Sequence, residues 1–347
     1  MACPRMQGHG YAEPISIRLQ GVRDGKRTAM SETNKLTIAS LTVAYNGAAV
    51  LPRQLNALRR QTHKLDEIIV VDNASSDDSV HLLEAEFPEV TILRQPSNVG
   101  VGGGLSIGLE YAARQKKYDW IWLFDQDSIP VDDSLERLLE ALDSMGGGVN
   151  GIGILAPLCA NEQAKVSYSG LMWHHGLRTM PVAGQTPATM FVDSVISSGT
   201  LLRREVVKEV GLPRSDFFMD FVDHEYCLRL RRHGYKIAVV PASRVEHSIG
   251  DPSRFRVLGF DKAWSDHVAW RKYYMTRNEI FTIWKYDPDW RSKCMVAYRL
   301  VRHAVAILLF GKDKLACLAM MYRGIGDGLA GRLGIRFLDG KESSSPV

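Results

Sequence analysis

The sequence is poor in cysteine, with five in 347 residues, widely spaced and without a Cys-x-x-Cys pair. Cys3, Cys159, Cys227, Cys294 and Cys317 therefore suggest neither a disulfide framework nor a structural zinc site, and they fit a reducing, cytoplasmic compartment. No stretch of about 18 residues is both apolar and free of charge, which excludes a transmembrane helix. Residues 1–34 are polar, rich in Gly, Arg and Thr, and lack the apolar centre of a secretory signal. They are expected to be a disordered leader, with Met30 as an alternative start, and residues 339–347 a flexible tail. Apart from these tails there is no low-complexity segment, and no internal repeat, which excludes solenoids and arrays.

What is present is a chain with 45% hydrophobic residues, enough to bury a core. That length suits one large α/β domain with an appendage, or two small domains. The net charge of +4 is unevenly placed: residues 254–347 carry 17 Lys and Arg against 9 Asp and Glu, and the remainder is net acidic. The basic and aromatic residues of that C-terminal third follow no nucleic-acid-binding module, so no nucleic acid partner is expected. An anionic membrane surface is the expected partner instead.

Hydrophobic periodicity predicts strands at 36–46, 67–72, 90–93 and 120–124, alternating with helices at 50–61, 78–86 and about 103–115. Such alternation implies right-handed crossovers and a mostly parallel sheet with helices on both faces. The rhythm then weakens. Strands are predicted at 153–156, 190–202 and 236–240, helices near 204–209 and 223–233, and from about 255 onward helices with little strand.

The most informative stretch is Trp120-Ile-Trp-Leu-Phe-Asp125-Gln126-Asp127-Ser128, an apolar strand ending in two carboxylates one residue apart. At the end of a parallel strand such a pair can hold Mg²⁺ or Mn²⁺ together with phosphate oxygens, or it can be a solvated turn. No Lys or Arg stands near that strand end in the sequence, so a diphosphate bound there would need a cation to offset its charge. The other strands also end in polar groups: Tyr45 and Asn46, then Asp72, Asn73 and Ser75, then Asn98. In an open sheet these ends converge on one crevice, where Asp72 is suited to accept an N–H from a pyrimidine base. Asn73, Ser75 and Asp77 also read as turn and cap residues. The run from Asn98 through Gly100, Gly102, Gly103 and Gly104 to Leu105 and Gly108 resembles a dinucleotide fingerprint only superficially: Leu105 stands at the third glycine, and the run follows the third strand rather than the first. A dehydrogenase is the inferior explanation.

Asp220, Asp223 and Glu225 cluster at the start of a predicted helix. Mutual repulsion among three close acids prepares one of them to accept a proton, which makes this a general-base site. Ser197-Ser198-Gly199 lines the acceptor side or forms a plain strand-end turn. His247 follows the last predicted strand at a plausible ligand distance or is a structural histidine.

In order along the chain, Ala44-Tyr45-Asn46, Asp72-Asn73-Ala-Ser-Ser-Asp77, Asn98-x-Gly100, Asp125-x-Asp127, Ser198-Gly199 and Asp223-x-Glu225-x-Cys-Leu-Arg229 resemble the motifs of family 2 glycosyltransferases with the GT-A fold. Phe-Asp125-Gln126-Asp127-Ser128, Asp220-Phe-Val-Asp223, His247-Ser-Ile-Gly250 and Tyr273-Tyr274-x-x-Arg277-Asn278 are most similar to the bacterial rhamnosyltransferases within it. Ser106 and Val222 depart from the common pattern, the latter leaving Asp223 as the position that matches the base. The resemblance implies a GT-A catalytic domain over 35–253 and a basic helical extension over 254–338. It implies a nucleotide-sugar donor, most simply dTDP-L-rhamnose, bound by Ala44, Tyr45, Asn46, Asp72, Asn98, Gly100, Asp125 and Gln126. Mg²⁺ or Mn²⁺ would sit at Asp127 and His247. Ser198, Gly199, Asp220 and Glu225 would face the acceptor, a lipid-linked saccharide or glycolipid at the inner face of the cell membrane, and Asp223 would be the base. A UDP-hexose donor keeps the same fold, and a non-catalytic nucleotide-sugar-binding module is the alternative of another class, one in which the acid cluster has no role.

Overall fold

The computed structural model describes residues 36–145, 151–161, 166–168, 171–173, 177–179, 189–247, 253–257, 260–264, 267–311, 313–338 and 341–342. The expected leader and most of the expected C-terminal tail lie outside the described residues. Strand β1 (Ile38–Ala44) is buried along its whole length, as its uninterrupted run of apolar and small residues dictates for a strand covered on both faces. It pairs in parallel with β2 (Glu67–Asp72) on one side and β4 (Trp120–Asp125) on the other, and β3 (Thr91–Arg94) extends β2 in parallel. The register sets Asp72 opposite Ala44 and Asp125 opposite Val43, so the polar strand ends form one row.

Helices α1 (Leu51–Arg59), α2 (Ser79–Glu86) and α4 (Ser134–Ser144) cover one face. The other is covered by α3 (Gly100–Leu109), α5 (Arg204–Glu209) and α6 (Val222–Arg232). Helix α3 begins three residues earlier than predicted and takes the glycine run into its first turns. It continues as a π-helical segment over Glu110–Lys116.

Beyond β4 the sheet becomes mixed rather than mostly parallel. Strand β6 (Ile152–Asn161) pairs antiparallel with the short β7 (Val166–Tyr168), and β8 (Leu171–Trp173) pairs with β9 (Leu177–Thr179) in a separate hairpin. The segment 190–202, predicted as one strand, is two: β10 (Met190–Val192) at the sheet edge and β11 (Thr200–Arg203), which runs antiparallel to both β4 and β6. The turn between them brings Ser197, Ser198 and Gly199 to the end of β4, where Gly199 N–H donates to the Leu123 carbonyl at 2.7 Å. Strand β12 (Lys236–His247) is also longer than predicted. An irregularity between Val240 and Arg244 lets it leave its first register on β6 and pair with β5 (Ser128–Pro130), with His247 opposite Ser128. His247 therefore ends the strand instead of lying beyond it.

The C-terminal region also carries more strand than expected, a hairpin of β13 (Ser253–Val257) and β14 (Phe260–Trp264) and a minimal pair over 337–338 and 341–342. Helix α7 (Ala269–Tyr286) buries Tyr273, Tyr274, Thr276, Arg277 and Asn278. It is backed by α8 (Trp290–Phe310) and α9 (Lys314–Ala330). Gly324 and Gly328 allow α9 to lie against the α7 backbone: a Cβ at either would come within 2.7 Å of the carbonyl of Tyr273 or Arg277. No helix among the described residues is long and apolar enough to cross a membrane.

Candidate active site

The row of strand ends is built into a crevice by side chains that fix the loops. The loop after β1 is tied to the loop after β2: Asn46 N–H donates to Ser75 Oγ at 2.9 Å, Ser76 N–H to Asn46 Oδ1 at 2.8 Å, Gly47 N–H to Ser79 Oγ at 2.8 Å, and Ala48 N–H to Asp77 Oδ2 at 3.1 Å. The N-cap of α2 is Asp78, which makes no side-chain cap, and Asp77 before it accepts from the Ser79 N–H at 3.1 Å. Asn73 instead donates to the Gly100 carbonyl at 3.0 Å, and its Oδ1 is buried with no hydrogen-bond partner among the described residues. Asp72 is buried at the base of this loop and accepts weakly from Ser75 N–H at 3.3 and 3.4 Å. Asn98 closes the turn that leads into the glycine-rich helix, its Oδ1 accepting from Gly100 N–H at 2.8 Å. Gly100 has φ +73°, and a Cβ there would collide with the Phe218 carbonyl at 2.2 Å, so glycine is required both by conformation and by contact.

Gln126 is tied to the Tyr45 main chain: its Oε1 accepts from Tyr45 N–H at 2.8 Å and its Nε2 donates to the Tyr45 carbonyl at 3.2 Å, so it shapes the rim of the expected donor subsite. Gln54, which no sequence motif marks, holds the turn after β4 from beneath: buried on the apolar face of α1, it donates to the carbonyls of Asp125 and Ser128 at 2.5 and 3.0 Å.

Asp125, Asp127 and His247 meet on the crevice floor. The His247 ring lies 3.3 Å from Asp127 Oδ1 and 4.0 Å from Asp125 Oδ2, and its Nδ1 shares a 2.9 Å hydrogen bond with Ser128 Oγ. Burial alone would lower the imidazole pKa, but Asp127 and Asp125 outweigh it and the value is raised. About a third of the Asp125 side chain is open to the crevice, yet the carboxyl group is ringed by protein. Its desolvation pushes its pKa up, Asp127 and Asp223 push the same way, and His247 and the Ser198 hydroxyl oppose them. Ser198 Oγ donates to Asp125 Oδ2, and Ser197 Oγ lies 3.5 Å from Oδ1. Ser198 is thus turned onto Asp125, and Gly199 is engaged by strand pairing.

The acid cluster is resolved by its partners. Glu225 is fully buried and bound to Arg229 Nε at 2.8 Å, which withdraws it from the crevice and corrects its expected place on the acceptor side. The i, i+4 spacing of Glu225 and Arg229 is the sequence signal that announces this pairing. Asp220 is clamped by Arg271, with Nη2 and Nε at 2.9 and 3.0 Å from its two oxygens. Asp223 remains: it is half-buried in the first turn of α6, accepts from its neighbour's His224 N–H at 2.7 Å, and has no Lys or Arg partner among the described residues. Arg271 also feels the charge of Asp125, so α7 brings a cation, paired with Asp220, within electrostatic reach of the end of β4.

Carboxylate and imidazole are ligand types that suit Mg²⁺ or Mn²⁺ when diphosphate oxygens supply the rest of the coordination shell. Among the described residues no three His, Cys, Asp or Glu side chains are grouped closely enough to hold an ion by themselves.

Comparison with known proteins matches this geometry. Residues 41–211 match the family described as Glycosyl transferase family 2. A dTDP-rhamnosyl transferase, RfbF of Shigella flexneri, is 28% identical over 304 residues, covering 86% of this chain and 97% of that protein. Galactofuranosyltransferase GlfT1 of Mycolicibacterium smegmatis is 24% identical over 235 residues, 65% of this chain and 76% of that protein. Among solved structures, GalNAc-T7 with UDP, GalNAc and Mn²⁺ superposes with a TM-score of 0.54 at 17% identity, over 73% of this chain and 48% of that one, so the chain spans about half of that longer protein. The fold is GT-A-like, and over residues 41–211 the chain is similar to family 2 glycosyltransferases.

Proposed function

We propose that the protein is an inverting rhamnosyltransferase that moves L-rhamnose from dTDP-L-rhamnose to a hydroxyl of a lipid-linked saccharide or glycolipid in cell-surface polysaccharide or glycolipid synthesis. The observation that carries the catalytic part of this reading is the division of labour in the acid cluster: Arg271 and Arg229 neutralise Asp220 and Glu225, and Asp223 is left facing the Asp125 side of the crevice. The rhamnosyl part draws its support from the length of the similarity to the Shigella flexneri transferase.

In this reading the nucleotide lies along the ends of β1 and β2, with the base near Asp72 and the loop of Ala44, Tyr45 and Asn46 around it. Asn98 and Gly100 set the rim of this subsite. The acceptor oxygen attacks the anomeric carbon in line as the bond from that carbon to the diphosphate oxygen breaks, and Asp223 takes the hydroxyl proton. Asp127 and His247 would hold Mg²⁺ or Mn²⁺, with Asp125 beside them toward the ribose or sugar; the ion would offset the charge of the departing diphosphate. Arg271 adds positive charge on the same side of the crevice, which supports electrostatic stabilisation of the leaving group.

The proposed site of action is the cytoplasmic face of the membrane. Helix α8 contains no acidic residue, and its outer face exposes Tyr298, Val301, Val305, Leu308 and Leu309 beside Arg302; on α9 Leu315 is 84% exposed near Lys314. An apolar stripe edged by cations supports reversible docking on anionic lipid. A UDP-hexose donor is the second reading, favoured by the solved relative that holds UDP. A panel of dTDP- and UDP-sugars, scored by release of nucleoside diphosphate, tests both: turnover confined to UDP-sugars overturns the rhamnosyl reading, and turnover of none favours a binding module.

A further inference from the structure

The segment that leads into Asp223 is held in a conformation that its own sequence disfavours. Phe218 has φ 64° and ψ −66°, and Met219 N–H donates to the Phe217 carbonyl at 2.8 Å, which together define a γ-turn of the rare positive-φ kind. Asp220 and Phe221 come next at φ 54° and 67°. Three non-glycine residues at positive φ within four positions are each disfavoured and persist only where surrounding structure imposes them.

That structure comes from α7. Asn278 is fully buried, and its side-chain Nδ2 lies 3.0, 2.7 and 2.9 Å from the carbonyls of Phe217, Met219 and Asp220. Arg277, also buried, donates from Nη2 to the carbonyls of Asp216 and Phe217 at 3.1 and 3.0 Å, and its Nε fixes the Asn278 amide through Oδ1 at 2.9 Å. Since Oδ1 is thereby committed, the amide nitrogen is turned toward the loop. Arg271, two turns earlier on α7, fastens the Asp220 carboxylate. The remaining carbonyl, that of Phe218, accepts from Gly102 N–H at 3.0 Å on the glycine-rich helix. Every carbonyl from Asp216 to Asp220 is thus occupied, four of the five by α7.

We infer that Asn278, with Arg277 and Arg271, is a positioning device for Asp223: the C-terminal extension holds the strained loop that fixes where α6 begins, and so where its first-turn carboxylate points. The inference rests on the reading of Asp223 as the base. It gives α7 a part in turnover separate from any role of α8 and α9 at a membrane.

The isosteric change Asn278→Asp replaces the donor with an acceptor against three carbonyls at constant volume. In the full chain, with dTDP-L-rhamnose or whichever nucleotide sugar the donor panel returns, kcat is expected to fall about 10- to 100-fold, the scale of a misplaced catalytic group, while donor KM and nucleotide affinity stay within about twofold. The deciding measurement is a double-mutant cycle with Asp223→Asn. If Asn278 acts through Asp223, the pair of changes lowers kcat no further than Asp223→Asn alone. Multiplying losses, or equal loss of donor affinity, overturn the inference, as does unchanged kcat in the Asn278→Asp variant. An Asp223→Asn variant with parental kcat instead overturns the base assignment. Should Asn278→Asp not fold, Asn278→Ser, which keeps a single donor in a smaller side chain, is read in the same cycle.

Discussion

Gln54 reaches from the apolar face of α1 to the main-chain carbonyl of Asp125 at 2.5 Å, and its Oε1 is held in turn by Thr42 Oγ1 at 3.1 Å. A buried amide that satisfies the carbonyls of Asp125 and Ser128 fixes both ends of the turn that presents Asp127. Replacing Gln54 with Leu keeps the bulk but leaves those carbonyls unpaired. The expected cost is about 1–3 kcal/mol in stability by denaturant unfolding, together with a higher divalent-ion concentration for half-maximal activity because Asp127 is no longer held. Unchanged stability would show that the turn is fixed by other contacts.

Asp223→Asn is expected to lower kcat by about 10² or more with donor affinity preserved, the usual scale for loss of a general base. Glu225→Gln is expected to act differently. Glu225 is buried on Arg229, so its change lowers the unfolding midpoint while the folded fraction keeps near-parental kcat. Steady-state kinetics on both variants, normalised to folded protein, decides between them. A larger kcat loss at Glu225 would reverse the assignment.

The alternation of β and α to residue 125 is legible in the sequence because each buried strand is a short apolar run closed by a polar residue. The row of Asn46, Asp72 and Asp125 comes from that alone. The chain beyond residue 190 is not legible in this way. Continuous apolar character across 190–202 hides the turn at Ser197–Gly199, since a run buried on both faces has no period to mark its break. The partners of the acid cluster divide along the same line. Glu225 and Arg229 are four residues apart and readable, whereas Arg271 and Asn278 lie about fifty residues beyond Asp220, and no local rule connects them. Tyr273-Tyr274-x-x-Arg277-Asn278 stands out as a motif, but its work on the loop 216–220 is visible only once α7 is docked.

Turnover is expected to require a divalent ion. Excess chelator should abolish transfer, with recovery on adding Mg²⁺ or Mn²⁺, and Asp127→Ala should abolish transfer and weaken nucleotide binding measured by calorimetry in the presence of the ion. Full activity in chelator would mean that Arg271 and its neighbours suffice to stabilise the leaving group.

A pH dependence of stability is expected from the packing of α8 on α7. His303 lies 3.1 Å from Lys272 Nζ, and burial, with the positive charges of Lys272, His267 and Arg302, pushes its pKa down to about 4. In the unfolded chain the imidazole titrates near 6.5. Between these values the unfolded state binds the proton and the folded state does not, so stability falls as the pH falls from about 6.5 to 4 and the slope vanishes below. Thermal unfolding across this range should show a steeper decline for the parent than for His303→Gln. Parallel curves would place the titration elsewhere.

The exposed stripe of α8 and α9 predicts salt-sensitive binding to anionic vesicles. Each Lys or Arg near such a surface contributes about 1 kcal/mol, so a few cations beside Val301, Val305 and Leu308 suffice for reversible attachment. Arg302, Lys314 and Arg323 are exposed; Lys312 lies outside the described residues. Co-sedimentation should recover the protein with anionic vesicles at low salt, lose it at high salt, and lose it when Lys312, Lys314 and Arg323 are changed to Glu. Arg323 also lies 5.1 Å over the Phe337 ring, so an unaltered unfolding midpoint in the triple variant is the necessary companion measurement. Equal recovery with neutral and anionic vesicles would assign the attachment to the apolar stripe alone, and recovery with neither would make α8 and α9 purely a support for α7.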